Sequence, residues 1–294
     1  MKFLIAIGSK EYSEPTLRIG MRVARAFKAS VTICYVGPRI SAFSTHEVQL
    51  AQESLERWDM KRPGVEVLEW AFNFLADRDY ITPEVVETGF QENLLIQHQE
   101  HRAQLLLQGT ICKDVELILR NGDIIDELRQ EVNAEHYDVT IIGGSQRRRM
   151  VHDLIQYIDS SIFVVNKFNY KMRYGLLVPV NDSLSTAKAV KYSIRVAQAF
   201  EIPVDILTVS RKEKFGQGYL NASRRAAKTM RRAGIEHQTH FEIGEADEVI
   251  REMAGNNHII VMGISQKNPL KKFLFGSKPT RVLEKAKVPV LLVK

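Results

Sequence analysis

The chain has 294 residues, of which 45% are hydrophobic and 26% charged, with a formal net charge of +6 and a pI near 9.2. This length holds two compact domains and this apolar fraction fills two cores, which excludes a disordered or fibrous chain. The two cysteines, Cys34 and Cys112, are widely spaced and form neither a disulfide framework nor a zinc pattern, so a reducing cytoplasm is the expected setting.

The first apolar run, Phe3–Ile7, is cut by Lys10 and Glu11. It falls far short of the ~20 residues of a membrane span, and neither export nor membrane insertion is expected. Together with Val31–Val36, Val115–Leu119, Val139–Ile142 and Ile162–Val165, it makes a series of short runs of the kind that parallel strands covered on both faces require. Helical patterns separate them. Leu17, Met21, Ala24 and Phe27 predict a helix over Pro15–Phe27, with Pro15 in its first turn and Ser13 as its cap. Ile124, Ile125, Leu128 and Val132 predict another over Asp123–His136.

Between Val36 and Gly143 lies extra length, an insertion of about residues 41–114 that the common sheet cannot absorb. Ser44-Thr-His-Glu47 resembles a capping box opening a helix with Val48, Ala51, Leu55 and Trp58 on one face, and a second stripe runs Leu68, Ala71, Phe72 and Leu75. Val85-Val86, Leu94–Ile96 and Leu105–Leu107, with turns at His98–Arg102 and Gly109, predict a β-ribbon. The ribbon and helices either cover a face or edge of the first sheet or offer a surface to a partner.

The second half predicts strands at Leu176–Val180, Val204–Val209, His237–Ile243, Ile259–Met262 and Val288–Val293. Helices fall at about Ser185–Phe200, Asn221–Ala233, Asp247–Ala254 and Pro279–Lys285. Residues Tyr174–Val209 repeat Met1–Val36 at a fixed offset, with Met21–Phe27 answered by Ile194–Phe200. Tyr137–Gly143 matches Asn257–Gly263, and Ser161–Lys167 matches Val288–Lys294. The chain is therefore one α/β unit written twice, residues 1–168 and 172–294. Each is expected to be a doubly wound parallel-sheet domain built with right-handed crossovers.

The functional signal follows the strand ending at Met262. Gly263-Ile-Ser-Gln266, nine further residues, then Gly276-Ser277 and a helix from Pro279 describe a loop whose backbone can approach a ligand. A helix N-terminus there presents free N–H groups and a positive partial charge, which suits a phosphate. Lys267, Lys271, Lys272, Lys278 and Arg281 add attraction for a polyanion.

The duplicated unit and this loop resemble the universal stress protein family, specifically its tandem members. In members that bind ATP, the fourth strand is followed by Gly, two residues, Gly, nine residues, then Gly and Ser or Thr. Gly263, Gly276 and Ser277 fall on that pattern, while its middle glycine is Gln266. The resemblance implies that a nucleoside-contacting aspartate would stand at Asn181, after Pro179 and Val180, and that Val209 stands where the second strand meets the base. It implies a non-catalytic stress-response binding protein whose second copy takes ATP with Mg, or a similar adenine nucleotide. The opposing reading of the same loop is an inherited turn with solvated lysines. In the first copy Gly8, Gly143 and Gln146 take the matching positions, the following segment is about seven residues shorter, and Arg147-Arg148-Arg149 replace the phosphate loop, a pattern favouring a solvated basic turn.

Walker, nucleophile-elbow, dinucleotide-fold and zinc-protease patterns do not occur. Ser277 reads as a helix cap rather than a nucleophile, His98 and His101 read as turn residues, and His237 and His240 sit on opposite strand faces, which disfavours a shared metal. Neither a catalytic nor a metal-ligating residue is expected. The alternatives to a nucleotide-sensing module are a nucleotide-free scaffold acting through the insertion and a slow ATP hydrolase. Scattered basic residues without interleaved aromatics disfavour nucleic acid. The family habit of pairing last strands implies that Ile162–Val165 and Val290–Val293 pair within one chain across the short link Phe168–Met172, as an intramolecular pseudo-dimer. Further homodimerisation and the protein partner are not set by the sequence.

Overall fold

The computed structural model describes residues 1–37, 64–99, 102–144, 153–155, 157–169, 171–264 and 278–294. They form two compact units, Met1–Tyr137 and Asp138–Lys294.

In the first unit, strands β1 (Lys2–Ile7), β2 (Ser30–Gly37), β3 (Ile96–Gln99), β4 (Arg102–Gln108) and β5 (Asp114–Asn121) lie in the order β1-β2-β5-β4-β3. β1, β2 and β5 are parallel, and β5, β4 and β3 are antiparallel neighbours. Helices α1 (Lys10–Phe27), α2 (Val65–Ala76), α3 (Pro83–Thr88) and α4 (Ile124–Glu135) accompany them. α1 and α2 pack on the sheet and on each other, while α4 packs on β2. Phe3, Leu4, Ile5, Leu17, Met21 and Leu68 are fully buried, each contributing about 1.5–3 kcal/mol of apolar burial.

Several expectations needed moving. α1 begins one turn earlier than predicted, with Ser9 at its N-cap position and Pro15 inside it. Ser13 is thus a helical residue, and its Oγ accepts from the Gly8 N–H at 2.7 Å. Val85-Val86 belong to a helix, not to the ribbon, because Pro83 at the first helical position fixes φ for a helical turn. The ribbon itself forms as β3–β4–β5, and Gly109 turns the chain where an added Cβ would lie 1.8 Å from the Cys112 carbonyl oxygen. Asp123 caps α4 by accepting from the Ile125 and Asp126 N–H groups. The Ser44–Glu47 capping box, the helix through Trp58, and His101 lie outside the described residues.

In the second unit, β6 (Val139–Gly143), β7 (Ser161–Val165), β8 (Gly175–Pro179), β9 (Val204–Ser210), β10 (His237–Ile243), β11 (His258–Gly263) and β12 (Val290–Val293) lie in the order β10-β9-β8-β11-β12-β7-β6. All neighbours are parallel except β12 and β7. Val290, Leu291 and Leu292 pair antiparallel with Val164, Phe163 and Ile162, the pairing implied by the family resemblance. Phe163 and Leu292 are completely buried there, so each strand covers an edge the other would expose. This pairing draws the last two strands of the first repeat into the second compact unit. The ladders set Gly143 opposite Val165 and Gly263 opposite Val293, one residue away from the alignment of Ser161 with Val288.

Helices α5 (Leu184–Phe200), α6 (Gln217–Arg232), α7 (Ala246–Ala254) and α8 (Lys278–Lys285) complete this unit. α5 and α6 pack together as one layer, and α7 and α8 as another. Each begins within a few residues of its predicted start, as the 3.6-residue apolar period dictates.

Candidate functional site

The order β10-β9-β8-β11-β12 places a topological switch point between β8 and β11. The connection after β8 leads towards β9, and the one after β11 leads towards β12. Such a point opens a crevice at the carboxyl ends of the strands, where ligands bind in open α/β sheets. β8 runs out at Pro179, Val180 and Asn181, and β11 at Met262 and Gly263. Folding thus brings these predicted residues to one strand end. Leu207 is the register partner of Pro179, so by alternation Asn181 and Val209 occupy one face of the sheet.

Asn181 is committed to the helix that follows. Its Oδ1 accepts from the Ser183 N–H at 2.9 Å and from the Thr186 hydroxyl at 2.7 Å, while its own N–H donates to Thr186 Oγ1 at 3.3 Å. This Asx-type turn fixes the first turn of α5. Asn181 is exposed, and its Nδ2 takes no partner among the described residues. An aspartate would present an acceptor at that spot, where Asn181 presents a donor. Val180 and Met262 are buried and Val209 is half-buried.

Gly263 is required by space. An added Cβ would lie 2.5 Å from the Ser185 carbonyl carbon and oxygen, so the end of β11 meets the first turn of α5 backbone to backbone. That turn carries no acidic residue, and a helix N-terminus at a switch point is a place that suits an anion. Asp182 lies against the start of α6, where a Cβ on Gly218 would stand 2.9 Å from its Oδ2; a carboxylate at a helix N-terminus is favourable. Lys278 opens α8. Gln266, Gly276 and Ser277 lie outside the described residues, as do Gln146 and Arg147–Arg149 of the first copy.

The first copy keeps the frame without the contacts. The Gly8 N–H donates to Ser13 Oγ, five residues on, as Asn181 does to Thr186 at the repeat offset. The Gly144 N–H donates to the Val165 carbonyl as Ile264 does to Val293, both at 2.8 Å. Gly8 has no side chain to take the part of Asn181.

Of the histidines, His237 Nδ1 meets the Ile235 carbonyl at 2.9 Å, while His240 and His258 flank Asp205 at 2.8 and 3.1 Å. Among the described residues no group of His, Cys, Asp or Glu could hold a metal ion.

Sequence reasoning missed a buried charge network in the first unit. Glu131, fully buried on α4, accepts from Arg102 Nε at 3.0 Å, Arg120 Nε at 2.9 Å and the Tyr137 hydroxyl at 3.0 Å. Arg102 also reaches Glu116 at 3.2 Å and Gln104, and Arg120 reaches Glu127 at 2.5 Å. Burial pushes the Glu131 carboxyl up, but the bonds and charges of Arg102 and Arg120 outweigh it, and the net shift is down. Burial, with the Glu131 charge, pushes the Tyr137 phenol up. Burial likewise pushes the Cys112 thiol to about 11 and the Cys34 thiol up, so both cysteines are inert at neutral pH. The available signal was Glu127 and Glu131 four apart on α4, facing strands that carry arginines.

Residues 172–294 match the universal stress protein family. The whole chain is similar in fold to a universal stress protein from Archaeoglobus fulgidus DSM 4304, at 16% identity and a TM-score of 0.61, covering 100% of this chain and 96% of that one. It is also similar to a functionally unknown protein from Pseudomonas aeruginosa PAO1, at 13% identity and 0.58, covering 99% and 92%. A universal stress protein from Archaeoglobus fulgidus, solved in complex with dAMP, is 20% identical over 42% of this chain and 99% of its own, with a TM-score of 0.35. No curated protein matches the sequence significantly. The match to the universal stress protein family is thus confined to residues 172–294, and over the whole chain the likeness is one of fold.

Proposed function

We propose that this chain is a tandem universal stress protein, with repeats at 1–168 and 172–294, that senses an adenine nucleotide in its second repeat and acts by binding rather than by catalysis. The observation that carries the reading is the gathering of Pro179, Val180, Asn181, Met262 and Gly263 at the switch point, beside the acid-free first turn of α5. Val209 and Met262 would flank the base, the Asn181 amide would donate to the nucleoside, and Gln266, Gly276, Ser277 and Lys278 would take the phosphates, with Mg carried in on ATP. Bound magnesium would neutralise phosphate charge; the chain's own residues supply orientation and donors. The setting we assign is the cytoplasm.

Titration calorimetry with Mg-ATP, together with a phosphate-release assay on the same sample, tests this reading. Saturable binding without turnover supports it, and turnover above the buffer rate would make the protein a hydrolase. One observation favours a scaffold reading instead: the ribbon and the turn that leads into it leave Leu94, Ile96 and Leu106 exposed at 46%, 60% and 68%. If ATP fails to bind, this apolar surface becomes the working part of the molecule.

A further inference from the structure

The sequence disfavours nucleic acid because its basic residues are scattered among acids, but folding sorts them. Neither α5 nor α6 contains an aspartate or glutamate, and the two pack side by side as one layer of the second unit. α6 carries Arg224, Arg225, Lys228, Arg231 and Arg232, all exposed. At 3.6 residues per turn these five fall within about a third of the helix circumference and along roughly 12 Å of its axis. The opposite side of α6, through Ala222, Ser223, Ala226 and Met230, is buried.

α5 adds exposed Lys188, Lys191 and Arg195. The layer's positive charges thus exceed the +6 of the whole chain. The nearest acids in sequence are in flanking turns, Asp182, Glu201, Glu213 and Glu236, with Asp182 against the first turn of α6, away from the stripe at Arg224–Arg232. Among the described residues none of Arg225, Lys228, Arg231 and Arg232 forms an ion pair, and Arg224 reaches only Asn221, at 3.5 Å. Ahead of the stripe, Phe215 and Phe241 form an edge-to-face pair at 5.2 Å, with Phe241 42% exposed on the edge strand β10.

We infer that this layer binds single-stranded polynucleotide, the phosphates lying along the α6 stripe and a base resting on the Phe215–Phe241 pair. A row of arginines and a neighbouring aromatic face are the two components of sequence-tolerant strand binding. A membrane surface fits less well, since the apolar side of α6 is already used against its own sheet. The site is separate from the switch-point crevice and does not depend on nucleotide binding there.

Fluorescence anisotropy of the full chain with labelled RNA and DNA oligonucleotides of about 20 bases, single-stranded and duplex, tests this. With four phosphate contacts, single-strand affinity falls about fifty-fold between roughly 50 and 200 mM salt. The triple variant Arg225→Glu, Lys228→Glu, Arg232→Glu abolishes binding, and Phe241→Ala weakens single strands about tenfold while leaving any duplex binding unchanged. Preference for RNA over DNA of the same sequence locates recognition at the 2′-hydroxyl; equal binding locates it at phosphate and base. Wild-type affinity in the triple variant overturns the proposal, as does competition by polyglutamate equal to that of the oligonucleotide, which reassigns the face to acidic proteins. Should circular dichroism show the triple variant misfolded, Lys228→Gln with Arg232→Gln reads the same loss at smaller amplitude.

Discussion

The Asn181 amide oxygen holds the first turn of α5, and in the function we propose its exposed amide nitrogen meets the nucleoside. A carboxylate would hold the turn equally well and offer the nucleoside an acceptor. Asn181→Asp is therefore predicted to tighten Mg-ATP binding about tenfold, the worth of one hydrogen bond to a charged group. Calorimetry on both proteins checks it, and unchanged or weaker binding would show that Asn181 does not face the ligand. Gly263 is decided by distance alone, because a methyl group 2.5 Å from the Ser185 backbone has nowhere to go. Gly263→Ala should cost about 1–3 kcal/mol in urea unfolding. A neutral result would mean that β11 and α5 separate easily at this point.

At the scale of elements, the inserted ribbon is tied into the first unit by charge. Arg102 on β4 and Arg120 on β5 are cross-strand partners, and both close on Glu131 of α4. Removing one member of a buried ion network strands the others, so Glu131→Gln should destabilise the protein by about 3–5 kcal/mol at neutral pH. Glu131 is held below its usual value of 4.5 in the folded state. Its contribution is therefore fully present above that value and is lost as pH falls through the folded pKa. Acid-unfolding curves should show the wild type losing stability more steeply below pH 4.5 than Glu131→Gln. Parallel curves would sever the carboxylate from folding.

Strands are legible because short apolar runs are a local signal, and even the mostly exposed edge strand His237–Ile243 has the bounds that the sequence predicts. The start of α1 is not, since Ser9 and Ser13 are the same residue type, and in the structure Ser9 takes the N-cap position while Ser13 Oγ accepts from the Gly8 N–H. Glu131 and Arg102 lie 29 residues apart, and no periodicity in one segment foretells a partner in another. The α6 stripe was hidden for a related reason: its cations read as an ordinary solvated face until α5 was packed beside it.

At the scale of the whole molecule, the reading we propose is of two copies of one unit that have diverged in what they can hold. The backbone frame survives in both, from Gly8–Ser13 and Asn181–Thr186 at the first strand to the Gly144 and Ile264 hydrogen bonds at the last. The first copy has Gly8 where the second has Asn181, and its sequence has no counterpart of Gly276-Ser277. Among the described residues no helix is long and apolar enough to cross a membrane. With the ligand assigned to the second repeat, the expected stoichiometry is one nucleotide per chain, not two. Native mass spectrometry of gently purified protein, before and after Mg-ATP, tests this most directly when paired with Gly276→Asp, which puts a carboxylate where the phosphates would lie. One adenine nucleotide per chain, lost in the variant, is the predicted result; two nucleotides, or none at millimolar ATP, would contradict it.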